Sequence, residues 1–314
     1  MRIGVSYIEQ NRLERFRTIA VSCLQGVRAR WKYLFAHPAF RQSRILTLFR
    51  LLRWRFQCAL GIPATIRLPL WGAQMYLPPR GRGGGTTMIF AVRCRYEKEL
   101  LHLDRFISPG MVVVDGGASC GIYTIAAAKL VGSTGKVFSF EPAVETFSIL
   151  RKNIDLNRLE NVRAYRAALS DTDGKAVFYH NVAGPNGFSL GCPRTPGLEL
   201  QQEEVATYTL GRLAQEEGVQ RIGLIKLDVE GAEELALRGA GRLIARVRPT
   251  IIFEFNRPGA QQMGLDSLGS WNLLKGLGYT FSSLEECGDL RPLDHPPGSD
   301  EIINVIATHH GNRK

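Results

Sequence analysis

The chain has 314 residues, 45% apolar and 22% charged, a globular composition that excludes wholesale disorder and suits about two structural units. No apolar run approaches the ~18 residues of a membrane-spanning helix; the nearest, Ile45 to Leu60, is interrupted by Arg50, Arg53 and Arg55. The net charge of +11 is unevenly spread, with +14 over residues 1–100 and −3 over residues 101–314. Six cysteines (Cys23, Cys58, Cys94, Cys120, Cys192, Cys287) stand far apart without CxxC spacing. That argues against a disulfide scaffold or structural zinc site, and for a reducing, cytoplasmic compartment. No signal peptide is expected.

The charge step predicts two parts, a basic and mainly helical extension over residues 1–85 and a second domain over 86–314. In the first, Leu48, Phe49, Leu52, Phe56 and Leu60 recur at helical spacing among arginines. Such a helix either caps the second part or lies on an anionic membrane surface, a contact assigned to residues 1–60. Nucleic acid is not expected as a partner, because no RNA-binding module accompanies the charge. The Gly/Pro-rich stretch Leu77 to Thr87 predicts the linker.

From Tyr96 onward strands and helices alternate. A helix is predicted over Glu97–Phe106, a buried strand over Met111–Val114, a helix over Ile122–Leu130 and a strand over Val137–Phe140. A helix over Val144–Leu156 and a strand over Val162–Arg166 follow. Strands are then expected at Gly223–Leu227 and Thr250–Phe253, with a helix over Ala232–Arg238 between them. A helix at Ser270–Gly276 and strands at Tyr279–Ser282 and Ile302–Ala307 complete the chain, the last two as an antiparallel pair at one edge. The pattern predicts an α/β doubly wound, Rossmann-like, mostly parallel sheet.

The first strand ends in Asp115-Gly116-Gly117-Ala118-Ser119-Cys120-Gly121 and runs into a helix. Glycines there allow close backbone approach, and ligands of such sheets bind at the strands' carboxyl ends. The dinucleotide pattern G-x-G-x-x-G is not met, since Ser119 stands where its second glycine would fall. A carboxylate at the strand end repels pyrophosphate and welcomes an ammonium or sulfonium group. Twenty residues after Gly121 the next strand ends in Glu141-Pro142, where a carboxylate can accept from ribose hydroxyls. One acid for a cationic group and one for a ribose describe S-adenosyl-L-methionine.

These stretches, with Ala168-Leu169-Ser170-Asp171, Ile225-Lys226-Leu227-Asp228-Val229-Glu230-Gly231-Ala232-Glu233 and Pro249-Thr250-Ile251-Ile252-Phe253-Glu254, resemble the FkbM family of S-adenosylmethionine-dependent methyltransferases over about Tyr96 to Ala307. Asn153 and Asn157 belong to the likeness. The resemblance implies cofactor contacts from Asp115, Gly117, Ala118, Ser119, Gly121, Glu141, Pro142, Ala168 and Asp228. Ser119 replaces the family's usual Asn, and Gly211 an acid.

Methyl transfer to a hydroxyl requires alignment and removal of a proton. Asp228, at the end of the fourth strand, is the candidate catalytic residue; capping of the following helix is its structural alternative. Glu233 reads as a first-turn acid and Lys226 as a buried pairing partner. Asp228, Glu254 and Asn256 could supply oxygen ligands to a divalent metal, which is possible but not expected. The segment from Tyr179 to Val205 reads as a lid over the site, with His180 a candidate base. No Asn/Asp-Pro-Pro-Tyr stretch follows the fourth strand and no cysteine lies near Asp228, so a hydroxyl on a small molecule or glycan is the expected acceptor. The alternative is a non-catalytic module binding membrane or nucleic acid on the same fold.

Overall fold

The structure is a computed structural model that describes residues 35, 37–79, 85–181, 188–190, 200–299 and 301–309. The chain divides into two compact units, Met1–Leu52 and Arg53–Lys314. In the first, Pro38 opens the short helix Pro38–Gln42, and the His37 imidazole accepts from Ala39 N at 3.2 Å to cap it. The predicted basic helix forms as Arg44–Ala59.

That helix runs across the boundary at Leu52/Arg53, and after it the second unit forms a hairpin that the basic composition concealed. Strands β1 (Ala64–Leu68) and β2 (Ala73–Leu77) pair antiparallel, with Gly72 at φ 59° in the connection. Ile66, Leu68, Met75 and Leu77 are buried, as period-two alternation requires. The far side of β2 is held by Asn153 of the helix Val144–Leu156 and by Asn157, its C-cap. The Asn153 carboxamide accepts from Tyr76 N at 2.6 Å and donates to Tyr76 O at 3.1 Å and Cys120 O at 2.8 Å. Asn157 repeats the pattern on Gln74, at 2.7 and 2.6 Å. One helical turn apart, the two amides imitate a neighbouring strand and satisfy a sheet edge. Of the expected linker, residues 80–84 lie outside the described residues.

The main sheet has eight strands in the order β13-β12-β14-β11-β10-β3-β4-β5. Strands β3 (Val112–Gly116), β4 (Lys136–Phe140), β5 (Val162–Tyr165), β10 (Leu224–Leu227) and β11 (Thr250–Asn256) run parallel. Val113, Val114 and all of β10 are buried, the continuous apolar burial of strands covered on both faces. On one side lies the helix Ile122–Val131, whose Ile125, Ala126 and Val131 are buried. The expected antiparallel pair is β12 (Tyr279–Leu284) with β14 (Ile302–His309); β14 also pairs antiparallel with β11, and β13 (Leu290–Leu293) adds an outer edge.

Some elements differ from the sequence expectation. The helix expected over Glu97–Phe106 is broken into Lys98–Leu101 and a single tight turn, Leu103–Arg105. Gly239 ends the helix Glu233–Gly239, as expected, but a second short helix, Gly241–Val247, follows. Strands β6 (Ala167–Leu169), β7 (Gly174–Asn181), β8 (Phe188–Ser189) and β9 (Leu200–Tyr208) form a separate sheet in the order β6-β9-β7-β8. The ends of the predicted lid are therefore paired strands, in register from Gly174 with Thr207 to Asn181 with Leu200. Residues 182–187 and 191–199, and the His180 side chain, lie outside the described residues.

Candidate active site

The carboxyl ends of the adjacent strands β10, β3 and β4 lie side by side. Gly117 is the tightest point: at φ 78° a Cβ would lie 1.8 Å from the Asp228 carbonyl oxygen, so the loop after β3 passes directly against the end of β10. Gly121, at φ 93°, would place a Cβ 2.7 Å from Leu150. Gly117 N and Ala118 N donate to Phe140 O, both at 2.9 Å, and Asp228 N donates to Gly116 O at 2.9 Å. The glycines of D-x-G-x-x-x-G thus serve chain packing as well as openness to a ligand. Ser119 sits at φ 49°, a conformation that Asn tolerates better than Ser.

Glu141, at the end of β4, is 7% exposed. Its Oε2 accepts from Ser119 N at 2.9 Å, and its Oε1 from Ala143 N at 3.0 Å and Thr146 Oγ1 at 2.7 Å. A carboxylate has about four acceptor sites, so one remains for a ligand hydroxyl. Burial pushes its pKa up to about 6, against the pull of these donors. Asp115 is 3% exposed, and its Oδ2 accepts from Thr124 Oγ1 at 2.6 Å, which in turn lies 2.8 Å from Ser139 Oγ. Burial raises Asp115 to about 6. In this arrangement Asp115 ties the strand end to the helix behind the loop. Ala168 is buried with Ala143, Phe178 and Val205.

Around Asp228 the site is unusually acidic. Lys226 is 2% exposed, and its Nζ lies 3.4 Å from Asp228 Oδ2 and 4.9 Å from the centre of the Tyr123 ring. Burial opposes the lysine's charge, but Asp228, Glu97, Asp115 and Glu254 outweigh it and hold its pKa above the ordinary value. The pairing reading of Lys226 is correct. Glu97 was missed in the sequence: its Oε2 accepts from Tyr123 Oη at 2.5 Å and from Asn304 Nδ2 at 3.1 Å, and burial lifts it to about 7. Nothing local in the sequence joins a residue before β3 to one in β14; only the fold does.

Asp228 does not cap the following helix. Its N-cap is Ala232, and the Glu233 carboxylate takes the free amides of Val229 (3.0 Å) and Gly231 (3.3 Å). Asp228 is left partly exposed, with 34% of its side chain accessible, and paired to Lys226. Gly231 packs on Gly259, whose carbonyl carbon would lie 2.3 Å from an added Cβ. Asn256 caps the helix Arg257–Gln262 through its carbonyl oxygen, 2.8 Å from Gly259 N, and donates to Glu254 Oε2 at 2.9 Å. That oxygen is therefore committed to the helix cap. Among the described residues no three His, Cys, Asp or Glu gather as a metal site.

A Rossmann-like sheet with acids at the ends of β3, β4 and β10 is the architecture of a methyltransferase. Residues 115–289 match the methyltransferase FkbM domain, more than half of the chain, and the chain belongs to that family. Over 171 residues it is 29% identical to Methyltransferase 1 of Beauveria bassiana, covering 46% of this chain and 68% of that one. Over 179 residues it is 32% identical to 31-O-demethyl-FK506 methyltransferase FkbM of Streptomyces tacrolimicus, covering 48% and 65%. The matched region thus spans about two thirds of these relatives. Among solved structures, the methyltransferase FkbM of Methylobacillus flagellatus superposes with TM-score 0.40 and 15% identity, over 72% of this chain and 54% of the other.

Proposed function

We propose that this protein is an S-adenosylmethionine-dependent O-methyltransferase acting on a hydroxyl of a small molecule or glycan. The observation that carries the reading is the convergence of the Gly117–Gly121 loop, Glu141 and Asp228 at three adjacent strand ends. The name of the Streptomyces relative, which specifies an O-demethyl acceptor, supports oxygen as the target. The donor chemistry fits the residues: S-adenosylmethionine supplies a methyl group already activated on a sulfonium.

Glu141 has one acceptor site left for a ribose hydroxyl, and its position between Ser119 N and Thr146 fixes the carboxylate's orientation. The loop after β3 brings backbone rather than side chain to the crevice. Asp115 contributes negative potential from behind the loop. Asp228 is the group able to accept the acceptor's proton or orient its hydroxyl, because it is partly exposed while its second function, holding Lys226, fixes its direction. Lys226 also neutralises part of the acid cluster.

The test is transfer of labelled methyl from S-adenosylmethionine to a panel of hydroxylated acceptors, with Asp228→Asn beside the wild type. Asp228→Asn is expected to lose about 10²–10⁴-fold in turnover at saturating cofactor, the usual contribution of a positioned acid–base group. Unchanged turnover would remove Asp228 from the chemistry.

A further inference from the structure

The helix Arg44–Ala59 buries one face and leaves a second apolar face open. On the buried side are Thr47 and Trp54; the Trp54 ring stacks on Phe90 at 4.7 Å and its Nε1 donates to Thr87 Oγ1 at 3.2 Å. On the other side Ile45, Phe49, Leu52 and Phe56 are 86%, 62%, 68% and 67% exposed. At about 100° per residue these four fall within about 60° of arc. Arg53 lies on one flank of the stripe and Arg44 and Arg55 on the other, all three exposed. The helix contains no acid. Leu60 and Ile62, 56% and 46% exposed, extend the apolar surface past its end.

Single exposed apolar side chains are ordinary, but four large ones in line are not. The occupant follows from the flanks. Pairing two copies face to face would bring arginine rows together, whereas an anionic lipid surface accepts the stripe among its acyl chains and the arginines among its headgroups. We infer that this helix is an interfacial anchor that docks the protein on an anionic membrane, which sets the catalytic unit at a bilayer surface. The inference does not depend on which acceptor the enzyme methylates.

The full chain is sedimented with vesicles of phosphatidylcholine alone and with vesicles of phosphatidylcholine mixed equally with phosphatidylglycerol. Wild type is expected to partition at least tenfold more strongly onto the anionic vesicles. The variant Phe49→Ser, Leu52→Ser, Phe56→Ser keeps every charge of the chain, including those of residues 1–34, and is expected to lose at least tenfold of that binding. The variant Arg44→Glu, Arg55→Glu keeps the stripe and is expected to lose the preference for anionic lipid. All substituted side chains are exposed, and coincident thermal melts check the fold. Wild type left in the supernatant overturns the inference, as does a serine variant that binds like wild type. A wild-type dimer that the serine variant converts to monomer, without vesicle binding, would assign the stripe to self-association instead.

Discussion

The most telling residue is Lys226, a cation at 2% exposure among Asp228, Glu97, Asp115 and Glu254. Its sequence context, a lysine inside an apolar strand, already predicted a buried partner; the fold supplies several. Removing it leaves Asp228, 3.4 Å from the lysine Nζ, without its counter-charge. Lys226→Met is therefore expected to destabilise the protein by about 1–3 kcal/mol, less than the loss of one partner of a fully buried pair because Asp228 is partly exposed, and to abolish turnover. Chemical denaturation of both proteins measures it. Equal stability would mean that the Lys226–Asp228 pair adds nothing to the fold. Ser119 and Glu141 each stand in a short motif that can be read locally, but their 2.9 Å contact joins the ends of two strands and could not. Glu97 was not legible, because its partners Tyr123 and Asn304 are brought to it by sheet order alone.

At the scale of elements, Asn153 explains why the helix Val144–Leu156 carries a buried asparagine on its inner face, and the C-cap Asn157 extends its contacts to β2. Asn153 is wholly buried and makes three hydrogen bonds, two to β2 and one to the Cys120 carbonyl that ends the loop after β3. It links the hairpin to the candidate cofactor loop. Asn153→Ala would leave buried Tyr76 and Cys120 groups unpaired, an expected loss of about 2–3 kcal/mol, with faster amide exchange across 73–77 as its local signature. Unchanged exchange there would mean that Met75 and Leu77 alone hold the strand. The parallel strands could be read from the sequence because burial on both faces writes continuous apolar runs. The β1–β2 hairpin and the second sheet could not. In β9 Gln201, Gln202 and Glu204 are exposed, and the resulting polar run resembles loop composition as much as strand. The short helix Gly241–Val247, only seven residues after a stop glycine, falls below the length at which periodicity speaks.

For the molecule as a whole, the acidic crevice makes stability depend on pH. Burial lifts Glu97 to about 7, and Glu233 and Glu254 to about 8. Unfolded, these carboxyls titrate near 4.5. Between the two values the folded chain binds more protons than the unfolded one, so stability falls as pH rises from about 4.5 to about 8 and levels above it. Melting temperature measured across that window is expected to decline; a steady rise would show that these acids are ionised and well paired in the fold. The charge asymmetry along the chain is a second whole-molecule property: the basic segment presents an arginine-edged helix, while the catalytic segment gathers its acids in one crevice. Calorimetric titration of wild type and Glu141→Gln with S-adenosylhomocysteine decides whether Glu141 holds the adenosyl group of the proposed methyl donor. Clear wild-type binding is expected, with binding by the variant at least about tenfold weaker, the value of one charged hydrogen bond; a folded wild type that binds nothing, or a variant that binds equally, would overturn the proposed function.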